Sequence, residues 1–591
     1  MEYMKRTATC GELRSEHIGK EVILNGWVHR RRDHGGVSFI NLRDRYGITQ
    51  VVIDDNAQDT LKAIVSELKY EYCIAVRGKV RPRPEGMKNP AMPTGDIEVA
   101  AEEILILSTC EVLPFMIDER TDAKEDLRLK YRYLDLRSFA MQRNLRLRHE
   151  AAFRVREYLR SRGFYEIETP TLIKSTPEGA RDFIVPSRIH PGKFYALPQS
   201  PQLFKQILMV SGFDRYFQIA RCYRDEDARG DRQLEFTQID MEMSFVSKED
   251  VFEVTEGMMR HMFHHAIGVD LPIPFPRLSW EEAMDRYGSD KPDLRFGMEL
   301  QDFTPFVADG SFALFKEVVA SGGIVKALVA PGCGNYSRKQ IQDLEQTART
   351  FKAQGLAWMK VTGQALEGGI AKFYEPQATQ ILKTLGAKDG DLILLVGAPK
   401  RIAQQALGAV RSRLGKELNL ARPGEFSFAW IVDFPLFEWN EETGKWEAAH
   451  HMFTMPQEQY LNTLEQDPGS VKGDMYDLVC NGYEVASGSI RIHDPEIQKR
   501  IFSIVGYDPA DAEARFGFLL NAFKYGPPPH GGIAPGFDRL VMLMCGEETI
   551  RDVIAFPKNT LGVSPMDDSP SYVTEEQLKE LHIRVVPPEK T

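Results

Sequence analysis

Arg221-Cys-Tyr-Arg224-Asp-Glu226-Asp-Ala-Arg-Gly-Asp-Arg-Gln233-Leu-Glu-Phe236-Thr-Gln-Ile-Asp240-Met-Glu-Met-Ser-Phe245 is the stretch on which the reading of this chain turns. Two strand-like runs flank a loop of arginines and acids, which predicts a hairpin presenting charge at one end. Along the second run Ile239, Met241 and Met243 alternate with Asp240 and Glu242, so apolar side chains share one face and carboxylates the other. Carboxylates on so apolar a strand are costly unless a cation or an ammonium group meets them. Arg224, just before the loop, suits a phosphate, because a planar guanidinium offers paired donors to two oxygens.

Two later stretches extend the same chemistry. Gly531-Gly-Ile-Ala-Pro-Gly536-Phe537-Asp538-Arg539 places glycines before an apolar helix, with an arginine in its first turn. Such glycines let a nucleotide approach the backbone, and the arginine can reach a polyphosphate. Asp477 and Glu484 lie on adjacent extended segments, a carboxylate pair suited to hold Mg²⁺ against phosphates. Arg491 follows seven residues after Glu484. His450-His451 has no third ligand at helical spacing, so a hydrogen-bonding role is expected rather than zinc. There is no GxxxxGK loop and no GxGxxG after a strand, which disfavours P-loop and dinucleotide-binding folds and calls for a different ATP fold.

The bulk properties fit a large soluble enzyme. The 591 residues exceed one core and allow roughly four domains. Seven scattered cysteines without a CxxC pair argue against a zinc ribbon or disulfide framework and fit a reducing cytoplasm. No signal-like N-terminus or membrane-length apolar run stands out. The net charge of -11 is unevenly spread. Leu127–Arg148 carries seven basic residues against one acidic, and Arg30-Arg31-Arg32 with Arg77, Lys79, Arg81 and Arg83 makes a second basic area. Clusters of this kind attract phosphates locally, the alternative being ordinary solvated surface.

Along the chain, residues 1–110 read as five short strands with a helix, Ala57–Lys69, after the third, the order of an OB barrel. Phe39 and Arg43 on one strand, Gln50 on the next and Arg77 on the fourth are candidates for a face that stacks and hydrogen-bonds bases, while core packing is the competing role for Phe39. A polar hinge at 111–135 leads to a basic helix and to Gly163–Pro170, where a helix ends at glycine and an extended X-Pro segment begins. Residues 136–290 and 421–591 read as two parts of one catalytic domain. Between them, 291–420 reads as an α+β insert with strands near Ile324–Ala330, Ala357–Val361 and Asp391–Val396.

The segments Gly163–Pro170, Arg224–Gln238 and Gly536–Arg539 resemble motifs one, two and three of class II aminoacyl-tRNA synthetases. The full hairpin run, with Thr-Pro-Glu-Gly-Ala-Arg-Asp-Phe and Gln-Ser-Pro-Gln-Leu-Phe-Lys-Gln upstream, resembles the bacterial-type aspartyl-tRNA synthetases along essentially the whole chain, insert included. The resemblance implies an α+β multidomain architecture: an antiparallel catalytic sheet flanked by helices, an N-terminal OB anticodon-binding barrel, and a cytoplasmic homodimer joined around motif one. It implies that L-aspartate and ATP react to aspartyl-adenylate and pyrophosphate, and that the aspartyl group passes to tRNA(Asp), with tRNA(Asn) a further candidate.

Roles carry over to matching positions. Arg224 is expected to hold the α-phosphate, with Asp225, Glu226 and Gln233 nearby and Phe236 stacked on adenine. Gly536, Phe537, Asp538 and Arg539 would take the rest of ATP, Arg539 at the γ-phosphate, while Asp477 and Glu484 bind Mg²⁺. Arg224, Arg539 and Glu484 are the expected catalytic set. Lys205 and Arg491, helped by His450, would clamp the substrate's side-chain carboxylate, while Gln202, Asp240 and Glu178 meet its ammonium group. Phe39, Gln50 and Glu98 match anticodon-reading positions, and His34 resembles the residue of members with relaxed tRNA choice. Two rivals remain: a sister ligase for asparagine or lysine, and a non-catalytic RNA-binding relative.

Overall fold

The computed structural model describes residues 4–176 and 179–586. They form two compact units, one containing the chain up to Arg146 with 555–559 and 563–570, the other containing 147–554, 560–562 and the C-terminal residues from Ser571.

In the first unit, strands β1 (Glu21–His34), β2 (Val37–Asp44), β3 (Gly47–Ile53), β4 (Cys73–Pro82) and β5 (Ile97–Ser108) close into a barrel of order β1-β2-β3-β5-β4, with helix α1 (Asp59–Glu67) between β3 and β4. Alternation builds it: Val22, Leu24, Ile40, Leu42, Val51, Ile53, Ile74 and Val76 fill the interior. β1 and β2 are joined by Gly35-Gly36 alone, with φ of 58° and 81°. A two-residue turn with both φ positive matches the strands' twist, and glycine adopts it without strain.

The outer face departs from the expected base-reading set. Phe39 pairs with Val52 and Gln50 with Asn41 across β2–β3, and Gln50 donates to Glu98 at 3.0 Å. Arg81 reaches the other Glu98 oxygen at 2.8 Å and grips Asp54 with two bonds. Arg43 is not on this platform: it is buried in an ion pair with Glu71 (2.8 Å) and beside His29 (3.0 Å). Arg77 is engaged by Glu103 at 3.3 Å. The two basic runs are likewise largely neutralised from within. Arg128 and Arg132 share Asp135, Arg137 pairs with Glu71, and Arg143 with Glu119. Arg31 caps the end of α1 through the carbonyls of Val65 and Ser66, and Arg83 is buried.

The second unit is built on an eight-stranded sheet. Helix α2 (Phe139–Ser161) leads into β6 (Tyr165–Glu166). Helix α3 (Gln202–Val210) precedes the hairpin of β7 (Arg215–Tyr223) and β8 (Glu235–Ser244). Helix α4 (Lys248–Ile267) follows, then β9 (Arg277–Ser279) and α5 (Trp280–Tyr287). After the insert come β15 (Phe428–Val432), β16 (Met475–Cys480), β17 (Tyr483–Ile490), β18 (His530–Pro535) and α8 (Phe537–Cys545). Their order is β9-β15-β16-β17-β18-β8-β7-β6, antiparallel apart from its two edge pairings. Ile239, Met241 and Met243 face the helices as their alternation predicts, packed with Phe252 and Met258 of α4 and Leu540 of α8. The carboxylates of β8 therefore point to the opposite face.

The insert has its own five-stranded sheet: β10 (Gln301–Asp302), β11 (Ile324–Ala330), β12 (Ala357–Thr362), β13 (Ala365–Glu367) and β14 (Leu392–Ala398), ordered β10-β11-β14-β12-β13, with helices α6 (Arg338–Arg349) and α7 (Lys400–Glu417). Leu392, Leu394 and Val396 enter one core and Ile393 and Leu395 another. This strand reads as an unbroken apolar run because both faces of the sheet are covered. Arg411 on α7 lies between the rings of Tyr287 and Phe296 and donates to the carbonyls of Asp293, Phe296, Gly297 and Met298. Burial without a carboxylate in contact lowers its pKa to about 10.

Candidate active site

The polar face of β8 forms the floor of a cavity of about 820 Å³. Helical spacing puts Gln202, Lys205, Gln206 and Met209 on the buried face of α3, which packs against β8. Lys205 Nζ lies 2.7 Å from Asp240 Oδ1 and 3.2 Å from Glu242 Oε2. Arg491, just past β17, grips Glu242 through Nε (3.0 Å) and Nη2 (3.3 Å). Its Nη1 meets Ser489 Oγ at 2.8 Å and His451 Nε2 at 2.9 Å. Two cations and two carboxylates, all essentially inaccessible to solvent, thus neutralise one another.

The two acids are held differently. Burial pushes the Glu242 carboxyl up, but Arg491 and then Lys205 outweigh it, so the group lies below its usual range. At Asp240 burial prevails over Lys205 and the pKa is raised. Asp240 Oδ2 is buried with no hydrogen-bond partner among the described residues, an acceptor open to a donor entering the cavity. Glu242 was visible in the alternation of β8 but had no assigned role; it is the carboxylate that aims both cations. Gly532 makes this possible, since a Cβ there would collide with the Glu242 carboxylate and the Met241 carbonyl.

The cavity is also lined by Arg224, Phe236 and Arg539. The Arg224 guanidinium lies 5.0 Å from the centre of the Phe236 ring, both at the mouth of the β7–β8 hairpin. Glu226 pairs with Arg232 at 3.2 Å, and Gln233 and Gly536 line the wall. Arg539 donates to the Glu484 carbonyl and to Asp231 Oδ2 at 3.0 Å, which ties the first turn of α8 to the hairpin loop. On β16, Asp477 has a buried oxygen, Oδ1, with no partner among the described residues. Burial and then the Glu484 carboxylate raise its pKa well above the normal range. A buried Asp477 with an unpartnered oxygen, its pKa raised further by the Glu484 carboxylate, fits a divalent cation that keeps several waters and takes phosphate oxygens as further ligands.

Other expected residues are placed less directly. Phe537 is in the core, under the Arg148 guanidinium. The Asp538 carboxylate is taken by Arg148 (2.5 Å) and the Thr237 N–H (2.7 Å), so it fastens α8 to β8. Asp225 lies 3.8 Å from Arg181 and is outside the cavity lining. Of the two histidines it is His451 that touches Arg491, while His450 lines the cavity with its ring edge-on to Phe434. Burial lowers the pKa of both imidazoles. Glu178 lies outside the described residues. His34 is exposed at the end of β1, beside the Gly35-Gly36 turn.

Comparison with known proteins places this geometry. Residues 124–560 match the model of the class II tRNA synthetases (D, K and N), and residues 22–107 match an OB-fold nucleic acid binding domain. The chain is 65% identical over 586 residues to the aspartate–tRNA(Asp/Asn) ligase of Treponema denticola, covering 99% of each. It is 53% identical to the ligase of the same name from Moorella thermoacetica, covering 98% of this chain and 97% of that one. Among solved structures it shares the fold of an asparaginyl-tRNA synthetase from Pyrococcus horikoshii (TM-score 0.59, 19% identity, 94% of this chain and 98% of that one). It also shares that of an aspartyl-tRNA synthetase from Entamoeba histolytica (TM-score 0.57, 20% identity, 93% and 91%). With a barrel ahead of an antiparallel sheet and a matching model across most of its length, the chain belongs to the D, K and N group of class II tRNA synthetases.

Proposed function

We infer that this chain is an ATP-dependent aspartate–tRNA ligase. The observation that carries the choice of aspartate is the buried pair Lys205 and Arg491, aimed into the cavity by Glu242. A β-carboxylate is the side chain that two such cations select. A lysine substrate would need acids in their place, and an amide would not need both. The retained Arg224, Arg539, Asp477 and Glu484 argue against a non-catalytic relative.

In the first step the α-carboxylate of L-aspartate attacks the α-phosphorus of ATP. The new C–O–P bond forms as the bond to the β-phosphate oxygen breaks, giving aspartyl-adenylate and pyrophosphate. The chain's part is positioning and charge neutralisation. Lys205 and Arg491 hold the β-carboxylate, while Asp240 Oδ2 and Gln202 take the ammonium group. Arg224 steadies the α-phosphate, Phe236 stacks on adenine, and Arg539 exchanges Asp231 for the γ-phosphate. Asp477 and Glu484 would hold Mg²⁺, which when bound offsets the charge of the leaving pyrophosphate. In the second step the terminal ribose 3′-hydroxyl of tRNA attacks the mixed anhydride and AMP leaves.

The barrel platform of Phe39, Gln50 and Glu98 reads the anticodon. The acceptors are tRNA(Asp) and, in keeping with the names of the relatives and with His34, tRNA(Asn). The domain scheme is barrel 1–110, hinge 111–135, catalytic 136–290 and 421–591, insert 291–420. Exposed Phe153, Tyr165 and Leu172 around motif one support a homodimer. Among the described residues no helix is long and apolar enough to cross a membrane, and seven free cysteines suit a reducing cytoplasm.

Pyrophosphate exchange with aspartate, asparagine and lysine tests the reading. Exchange with aspartate alone is expected, followed by charging of both tRNA(Asp) and tRNA(Asn). Exchange with asparagine or lysine instead, or with none of the three, overturns the amino-acid assignment. Failure with purified tRNA(Asn) removes only the second acceptor.

A further inference from the structure

Beneath the cavity floor a line of hydrogen bonds runs away from Gln202. Its Nε2 is 3.0 Å from Gln206 Oε1. Gln206 Nε2 is 3.1 Å from His530 Nε2, and His530 Nδ1 is 2.8 Å from the Pro528 carbonyl oxygen. Gln206 and His530 have no solvent-exposed surface.

The polarity of this line is set from its far end. A carbonyl oxygen only accepts, so His530 carries a proton on Nδ1. Burial lowers the imidazole pKa and keeps the ring neutral, which leaves Nε2 a lone pair. That lone pair takes an N–H from Gln206 and turns the Gln206 oxygen toward Gln202. Gln202 must then donate with its amide nitrogen, and its oxygen is left for the cavity. The controlling carbonyl belongs to Pro527-Pro528-Pro529, where ring closure fixes three successive φ angles and leaves it little freedom to turn away.

We propose that Gln206 and His530 are positioning residues that fix the Gln202 amide with its oxygen toward the α-ammonium group of the substrate. The proposal rests on the reading of this cavity as an aspartate site. A Gln202 amide turned the other way would set N–H donors against an ammonium group, so the relay acts on one end of the substrate only. The side chains of Lys205 and Arg491, which serve the other end, make none of its bonds; Arg491 meets His530 through the backbone, its N–H donating to the His530 carbonyl at 2.9 Å, a bond that His530→Phe retains.

Succinate, which is aspartate without its amino group, separates this role from simple core packing. Calorimetric Kd values for aspartate and succinate are compared in the wild-type protein, Gln206→Met and His530→Phe. Aspartate binding is expected to weaken on the order of ten- to a hundredfold, the range for one hydrogen bond to a charged group. Succinate binding should stay within about twofold, the usual scatter between independent sites. Equal weakening of both ligands, or of neither, overturns the proposal. If His530→Phe does not fold, Gln206→Met combined with Gln202→Met decides. Its aspartate affinity should equal that of Gln202→Met alone, and additive losses overturn the relay. Absence of aspartate binding by the wild-type protein would defeat the aspartate reading itself rather than the relay.

Discussion

Arg491 and Glu242 form the most consequential pair in the molecule, because each is buried and each is the other's main counter-charge. Removing one member of a buried pair costs about 3–5 kcal/mol, and the charge left behind accounts for much of it. Arg491→Leu should therefore lower aspartate-dependent pyrophosphate exchange at least about a hundredfold while ATP still binds, and should also lower the melting temperature. Adding Glu242→Gln should restore much of the stability without restoring exchange. Recovery of exchange in the double variant would refute the clamp. Asp477 has the opposite sign. It is an acid whose folded pKa is raised, so below the usual value of 3.8 it contributes nothing. As pH rises past that value the unfolded chain ionises first, and stability is lost up to the folded pKa. Asp477→Asn should thus raise the neutral-pH melting temperature of the ligand-free protein by a few degrees, abolish exchange, and lose its stabilising effect near pH 4. Thermal melts across pH 4–8 check this.

At the scale of elements, strands β8 and β18 approach so closely at Glu242 and Gly532 that no side chain fits between them. Gly532→Ala should cost about 3 kcal/mol or more, since Glu242 must move off Lys205 and Arg491. The check is reduced thermal stability together with a raised aspartate KM; an unchanged KM would mean that the acid can move without loss. What could be read of these elements beforehand followed from period. The alternation in β8 separated Ile239, Met241 and Met243 from Asp240 and Glu242, and five short strands with one helix specified the barrel. Partner choice was not readable. Arg43 has the same parity as Phe39, yet Glu71 and His29, distant in sequence, claim it. His450 and His451 are neighbours in sequence, and no local pattern says that it is the His451 ring that reaches Arg491. The motif around Asp538, which lines the cavity, does not show that Arg148, 390 residues away, meets its carboxylate and fastens α8. Contacts of this length are set by packing, which a local pattern does not contain.

Across the whole molecule, the cavity is lined by the second unit, and the barrel face of Phe39, Gln50 and Glu98, proposed to read the anticodon, belongs to the first. Loss of the platform should then spare the first half-reaction. Phe39→Ala is expected to weaken tRNA charging by about 1–3 kcal/mol of lost stacking and to leave pyrophosphate exchange at the wild-type rate. A fall in exchange would contradict this division. The burial of the Lys205–Asp240–Glu242–Arg491 quartet has a further consequence, in the protein's response to ionic strength. Mobile ions screen exposed charges over about 8 Å at physiological salt, but they screen far less at side chains with almost no solvent-accessible surface. Recognition of aspartate should therefore be nearly flat as salt rises. Capture of the tRNA, which displaces counterions from its phosphates, should fall steeply over the same range. Salt alone would then separate the two recognition events, leaving aspartate binding intact while transfer to tRNA fades.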